Sequence, residues 1–200
     1  MTRYELAVLA MNRGALPRAV EPVAAFAAEG AGQLLGCWIA DVGTLNTAYV
    51  LRGFADDAEM AREQARTMRS SNPFGCARHL TGMTLDGYAP FTKQPPIEPG
   101  AFGPVYEVRT YMLQMGALEA AMAVWAEKVS LRTAVSRLVV AMHTLNGAPR
   151  MTHIWPYADA NERVRLRAKS IEDGIWPPKL PIQSDMRSTL CVAAAGSPLS

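Results

Sequence analysis

Cysteine is scarce in this sequence. There are three, Cys37, Cys76 and Cys191, far apart and with no Cys-x-x-Cys pair. That spacing argues against a disulfide framework and against a structural zinc site. Three reduced, buried thiols are the expectation. Histidine is equally sparse, and His79, His143 and His153 show no short ligand spacing. No metal and no other cofactor is expected. Apolar runs fall short of the roughly 20 residues that span a bilayer. The opening residues Met1-Thr2-Arg3-Tyr4-Glu5 pass straight into a strand pattern without a signal-peptide core. A cytoplasmic protein without a membrane partner is therefore expected. Charge of one sign is also missing. The net charge is +2 and the Arg and Lys residues are scattered, so a nucleic-acid face is not indicated. Finally, there is no phosphate-cradling Gly loop, no nucleophile–base–orienter set and no paired carboxylates. No reaction can be read from such a sequence.

What is present is an ordinary globular composition, with 50% hydrophobic and 19% charged residues, and a repeat. Tyr106-Glu107-Val108 echoes Tyr4-Glu5-Leu6 at an offset of 102 residues. Gly116-Ala117-Leu118 echoes Gly14-Ala15-Leu16 at the same offset. Asp159-x-x-Glu162 echoes Asp56-x-x-Glu59 at an offset of 103. Both acidic pairs fit a helix capping box.

In the first half, Arg3–Ala10 alternates as a strand, and Asn12-Arg13-Gly14 turns the chain. A helix follows over Leu16–Glu29, kinked or restarted at Pro22. Strands are expected at Leu34–Ala40, Thr47–Arg52 and Thr81–Tyr88, with a helix after Asp56 whose apolar stripe is Ala61, Ala65 and Met68. Pro90, Pro95, Pro96, Pro99 and Pro104 then make a stiff connector. In the second half, strands are expected at Val105–Leu113, Leu138–His143, Met151–Tyr157 and Asp185–Ala193. Its first helix carries Leu118, Ala121, Met122, Trp125 and Val129 on one stripe. Its second is expected to turn Val164, Ala168 and Ile171 inward and Arg163 and Arg167 outward. The fold class is α+β. Two ferredoxin-like β-α-β-β-α-β repeats are expected at residues 1–92 and 104–194, with a linker at 93–103 and a frayed tail at 195–200. The bare apolar face of each four-stranded sheet needs a cover, so an intrachain pseudo-dimer or a homo-oligomer is expected.

Tyr106-Glu107-Val108-Arg109-Thr110-Tyr111, Gly116, Trp125, His153-Ile154-Trp155-Pro156-Tyr157 and Glu162-Arg163 together resemble the NIPSNAP family. The resemblance is fullest over residues 105–193 and weaker over 4–88. It implies the dimeric α/β-barrel fold, in which paired sheets close a barrel. The wider superfamily includes cofactor-independent monooxygenases, haem-degrading enzymes and dehydratases, and any such activity would rest on fold analogy alone.

The candidate residues concentrate in the second half. Alternation places Glu107, Arg109 and Tyr111 on one strand face. They either line a cavity between paired sheets or form an ion pair at an interface. His153, Trp155 and Tyr157 share a face of a later strand, as a ligand surface or as a packed sheet face with a satisfied His. His143 ends the neighbouring strand, and Arg52 could serve the pocket from the other side. The expected partner is a small molecule, an aromatic one among the options, bound in a barrel cavity. The alternative is a structural or protein-interaction module without chemistry. The Arg163/Arg165/Arg167 run reads as a solvated helix face, and Trp125 as core.

Overall fold

A computed structural model describes residues 1–91 and 94–200. Thr92, the last residue of the first expected repeat, and Lys93, the first of the expected linker, lie outside the described residues. The first half runs β1 (Arg3–Met11), α1 (Leu16–Ala19), α2 (Val23–Ala28), β2 (Gln33–Val42), β3 (Thr47–Phe54), α3 (Asp57–Arg69) and β4 (Leu80–Pro90). The second runs β5 (Val105–Leu113), α4 (Leu118–Thr133), β6 (Val140–Thr144), β7 (Arg150–Tyr157), α5 (Ala160–Glu172) and β8 (Ile182–Ala193).

Local chemistry explains most of these boundaries. The first helix is broken at Pro22, which starts α2 as its N-cap residue and cannot donate to a preceding turn. Gly14 and Gly116 take the same left-handed turn, φ +74° and +77°, between strand and helix in the two halves. Both capping boxes form. Asp56 accepts from the Glu59 amide at 2.8 Å, and the Glu59 side chain accepts from the Ala55 amide. Asp159 accepts from the Glu162 amide at 2.7 Å, and Glu162 accepts from the Ala158 amide. Such caps contribute about 0.5–2 kcal/mol each.

The eight strands close an antiparallel barrel in the order β1-β3-β2-β8-β5-β7-β6-β4. Within the first half the order is β4-β1-β3-β2, and within the second it is β8-β5-β7-β6. Two short ladders join the halves. One runs from Trp38↔Ala193 to Val42↔Leu190, the other from Tyr88↔Thr144 to Pro90↔Met142. The barrel is thus complete within one chain.

Its interior is filled. Tyr4, Trp38, Tyr49, Leu51, Tyr88, Tyr106, Val108 and Ile154 form one buried cluster drawn from both halves. The Trp38 and Tyr106 rings lie 5.1 Å apart. Burying each such side chain is worth roughly 1.5–3 kcal/mol. The outer sheet faces are covered by helices. Ala7, Leu9, Val50 and Phe26 pack together in the first half, and Tyr111, Met151, Trp125 and Trp155 in the second.

Two expectations are corrected. The second helix of each half is turned opposite to the expected way. Val164 and Ile171 are exposed on α5, as is Met68 on α3. It is Arg163 and Arg167 of α5, and Glu63 and Thr67 of α3, that face the sheet. The physical reason is a charge buried on the sheet beneath each helix, which requires polar partners there: Arg52 meets Glu63 and Thr67 of α3, and Glu107 meets Arg163 and Arg167 of α5. Nor is the tail frayed. The Ser197 hydroxyl accepts from the Cys37 amide and donates to the Leu199 carbonyl. Backbone bonds tie Ser200 to Gly100 and Phe102, and Leu199 is fully buried.

Candidate functional site

The sheet face beneath α4 and α5 gathers most of the predicted site residues. β5 pairs with β7 so that Glu107 lies opposite Trp155 and Arg109 opposite His153. The strand period puts all of these, with Tyr111 and Tyr157, on the helix side. The expectation that they line a cavity between paired sheets is therefore corrected: they lie outside the barrel. The barrel's own interior is taken by the apolar side chains that alternate with them.

Glu107 is the hub. Its Oε1 accepts from Arg109 at 2.6 Å, from Arg163 at 2.5 Å and from the Ser188 hydroxyl at 2.6 Å. Arg167 stands 3.9 Å from Oε2. Burial alone would raise this carboxyl's pKa. The Arg163 bond, the Arg109 charge and the Ser188 bond outweigh it and hold the group at about 2. Arg109 also donates to the Tyr111 hydroxyl at 2.5 Å.

His153 is fully enclosed. Its ring lies 4.8 Å from that of Trp125 and 5.1 Å from that of Tyr111. The Trp155 indole donates to its Nδ1 at 2.5 Å, so the neutral ring carries its proton on Nε2, which has no protein partner. Burial first, then the Arg109 charge, pushes its pKa well below the usual value despite Glu107 nearby. This is a neutral imidazole at physiological pH.

The structure does not bring the remaining two candidates into this group. His143 stacks on Phe91 at 6.1 Å, and Phe91 in turn meets Trp125 edge-on at 5.7 Å. Two rings thus separate it from His153. Arg52 belongs to the other half. It lies opposite Glu5 across β1 and β3 and donates to it at 2.7 Å and 3.0 Å. Sequence reasoning missed Arg132. It lies in the last turn of α4, only 1% exposed, with its guanidinium 4.6 Å from the Trp155 ring. Its position beside the α4 stripe, three residues past Val129, was the available signal.

Beside this cluster opens a cleft of about 930 Å³ between α4, residues 94–102 and residues 134–139. Phe91, Met122, Trp125 and Val129 supply its apolar wall. Gln94 anchors the opposite wall by bonding the Val139 carbonyl and the Ala141 amide, as a strand residue would. Of the eight predicted site residues, none lines the cleft. Trp125 is the link, with one face toward the cleft and His153 behind it.

A sequence model of the NIPSNAP family matches residues 4–74 and 106–198. The chain belongs to the NIPSNAP family. No curated protein matches it. Among solved structures, this NIPSNAP chain is similar to an anthrone oxidase-like protein, at 10% identity and a TM-score of 0.68 over 100% of this chain and 95% of that one. It is also similar to a candidate monooxygenase from Lactobacillus acidophilus NCFM, at 13% identity and a TM-score of 0.63 over 98% of each chain. A NIPSNAP family protein from Agrobacterium tumefaciens strain C58 matches 49% of this chain with 96% of its own, at 22% identity and a TM-score of 0.42. At these identities the first two likenesses establish a shared barrel fold and no reaction. No helix among the described residues is long and apolar enough to cross a membrane.

Proposed function

We propose that this NIPSNAP protein binds a small, largely apolar molecule with an aromatic part in the cleft between α4 and residues 94–102. The observation that carries the reading is the cleft itself. Its volume of about 930 Å³ falls in the range of ligand pockets, ~300–1,000 Å³. Phe91 and Trp125, only 4% and 2% exposed, back the apolar wall that Met122 and Val129 present. Ser136 is buried beside the cleft with an unpartnered hydroxyl, and Arg137 stacks 3.5 Å over Phe102. These are the few polar groups that orient a mostly apolar ligand. The reading is one of binding, since no nucleophile–base pair is found among the described residues that line the cleft.

The two halves are taken, within the same proposal, as diverged copies of a ferredoxin-like unit bounded at 1–92 and 104–194. Matching strand order, turn glycines and capping boxes support this. Association into a homo-oligomer is a separate proposition, because closing the barrel does not need it. A second functional reading, a structural or interaction module, is favoured by one observation: the barrel's interior is filled by its own side chains.

One experiment divides the two. A thermal-shift screen with neutral planar aromatics, quinones and haem should find a compound that stabilises the protein saturably. The variant Ala126→Trp, at an exposed position on the cleft wall, should abolish that response without lowering the basal Tm by more than a few degrees. Absence of any saturable ligand, or a response that survives Ala126→Trp, removes the cleft reading and leaves the structural module.

A further inference from the structure

The charge around Glu107 does not balance. Four guanidinium groups, from Arg109, Arg132, Arg163 and Arg167, converge between α4, α5 and the sheet. Glu107 is the carboxylate they meet, and His153 is held neutral beside them. In the first half the same space holds Arg52 and Arg66 against Glu5 and Glu63, which is an even balance.

Arg132 shows where the imbalance is sharpest. It is 1% exposed, and among the described residues its Nε and Nη1 have no hydrogen-bond partner. Among the described residues it forms no salt bridge, while Trp155 covers one face of its guanidinium. Next to it stands the buried Tyr157 hydroxyl, which favours the charged guanidinium but makes no well-formed hydrogen bond among the described residues. The Arg163 Nε is a further orphan donor. An unpaired buried guanidinium carries a large desolvation cost, which a bound anion would offset. Arg163 and Arg167, on the α5 side of the cluster, are partly exposed, at 20% and 27%.

We propose that Arg132, Tyr157 and Arg167 form a binding site for a small oxyanion, a carboxylate or a phosphate. The unpartnered Nε and Nη1 of Arg132 supply charge-assisted donors to such a group. Tyr157 donates its hydroxyl to a third contact. Arg167 makes only a long ion pair with Glu107, at 3.9 Å, and so retains donors for the anion. The Glu107 carboxylate fixes Arg109 and Arg163 and so leaves the anion to the other two arginines. This site does not depend on the aromatic-ligand reading of the cleft, which lies on the far side of Trp125.

The test is a calorimetric and thermal-shift titration of the full chain with inorganic phosphate and, separately, with benzoate, each against sodium chloride at matched ionic strength. The expected result is saturable stabilisation by one or both. Stronger binding of phosphate assigns the site to phosphate groups, and stronger binding of benzoate assigns it to carboxylates. Arg132→Met should weaken the half-saturation point by at least about tenfold, the size of one lost charge-assisted hydrogen bond. Tyr157→Phe, which keeps the ring and removes only the hydroxyl, serves if Arg132→Met does not fold, and should weaken binding several-fold. Arg52→Met, in the other half, should leave the half-saturation point unchanged if it folds. Stabilisation no greater than that by chloride overturns the proposal, as does a response that Arg132→Met and Tyr157→Phe leave intact.

Discussion

Glu5 and Glu107 occupy the same place in the two halves, at the same point of the first strand and under the second helix. Both are fully buried. Yet they are held in opposite ways. Glu5 meets Arg52, set directly across the β1–β3 ladder, with Glu63 sharing that arginine at 3.6 Å. Burial raises the Glu5 pKa despite Arg52, and the Glu63 charge adds to the rise. At the ladder position of Arg52, the second half has Trp155. The cations there come from Arg109 on the same strand and from Arg163 and Arg167 on α5, and the Glu107 pKa falls to about 2. A strand position that carries the same charged residue in both halves can thus end as a closed pair or as the anchor of an arginine cluster. What decides is where the counter-charges are placed.

The largest effect should separate these two carboxylates. Glu107→Gln leaves three arginines around a neutral group and should cost about 3–5 kcal/mol in urea unfolding, as breaking a buried ion pair does. Glu5→Gln removes a carboxylate already poorly served and leaves Arg52 beside Glu63, so about 1–3 kcal/mol is expected. Equal losses, or a larger loss at Glu5, would break the contrast. The pH dependence has the same split. The contribution of Glu107 is present above the ordinary carboxylate pKa and is lost as pH falls toward 2. That of Glu5 runs the other way. It is fullest at acid pH and is lost as pH rises through its raised pKa.

A middle-sized effect belongs to His153. Its lowered pKa means that the unfolded chain takes up a proton below about pH 6.5 that the folded chain refuses. Stability should therefore fall from pH 7 to pH 5 by up to about 2 kcal/mol from this group alone. His153→Phe should flatten that limb, whatever it does to stability at pH 7. Urea midpoints at the two pH values check this, and an unchanged slope would show the ring free to ionise. The smallest effect should come from the outward face of α5. Val164→Ser is expected to shift stability by no more than about 0.5 kcal/mol, because that side chain is 60% exposed. A loss above ~1 kcal/mol on chemical denaturation would restore the apolar-inward orientation that the helix periodicity suggests.

That orientation marks the limit of what the sequence made legible. The strands, both turn glycines and both capping boxes could be read from local patterns, since each depends on neighbours within a few residues. The two short seam ladders could not, because they pair strands more than fifty residues apart. The helix faces were misread for a different reason. An apolar stripe is taken to face inward unless something buried demands polarity, and the demand came from Arg52 and Glu107 on other elements. The placement of Arg52 in a closed pair followed from the Glu5↔Arg52 register, which alternation alone does not fix. The clustering of Glu107, Arg109 and Tyr111 was visible, and so was the shared face of His153, Trp155 and Tyr157. The side of the sheet they occupy was not, because both faces of these strands are buried.

A barrel built from two identical chains must repeat every residue by symmetry, so any change made for one site is imposed on the other. Here one covalent chain supplies all eight strands. Each half is always present beside the other in equal number, and a substitution in one leaves the other untouched. The chain can carry Arg52 in one half and Trp155 in the other, a pairing no symmetric assembly could hold. Freedom from symmetry is what allows a balanced charge cluster and an arginine-rich one to coexist in a single closed wall.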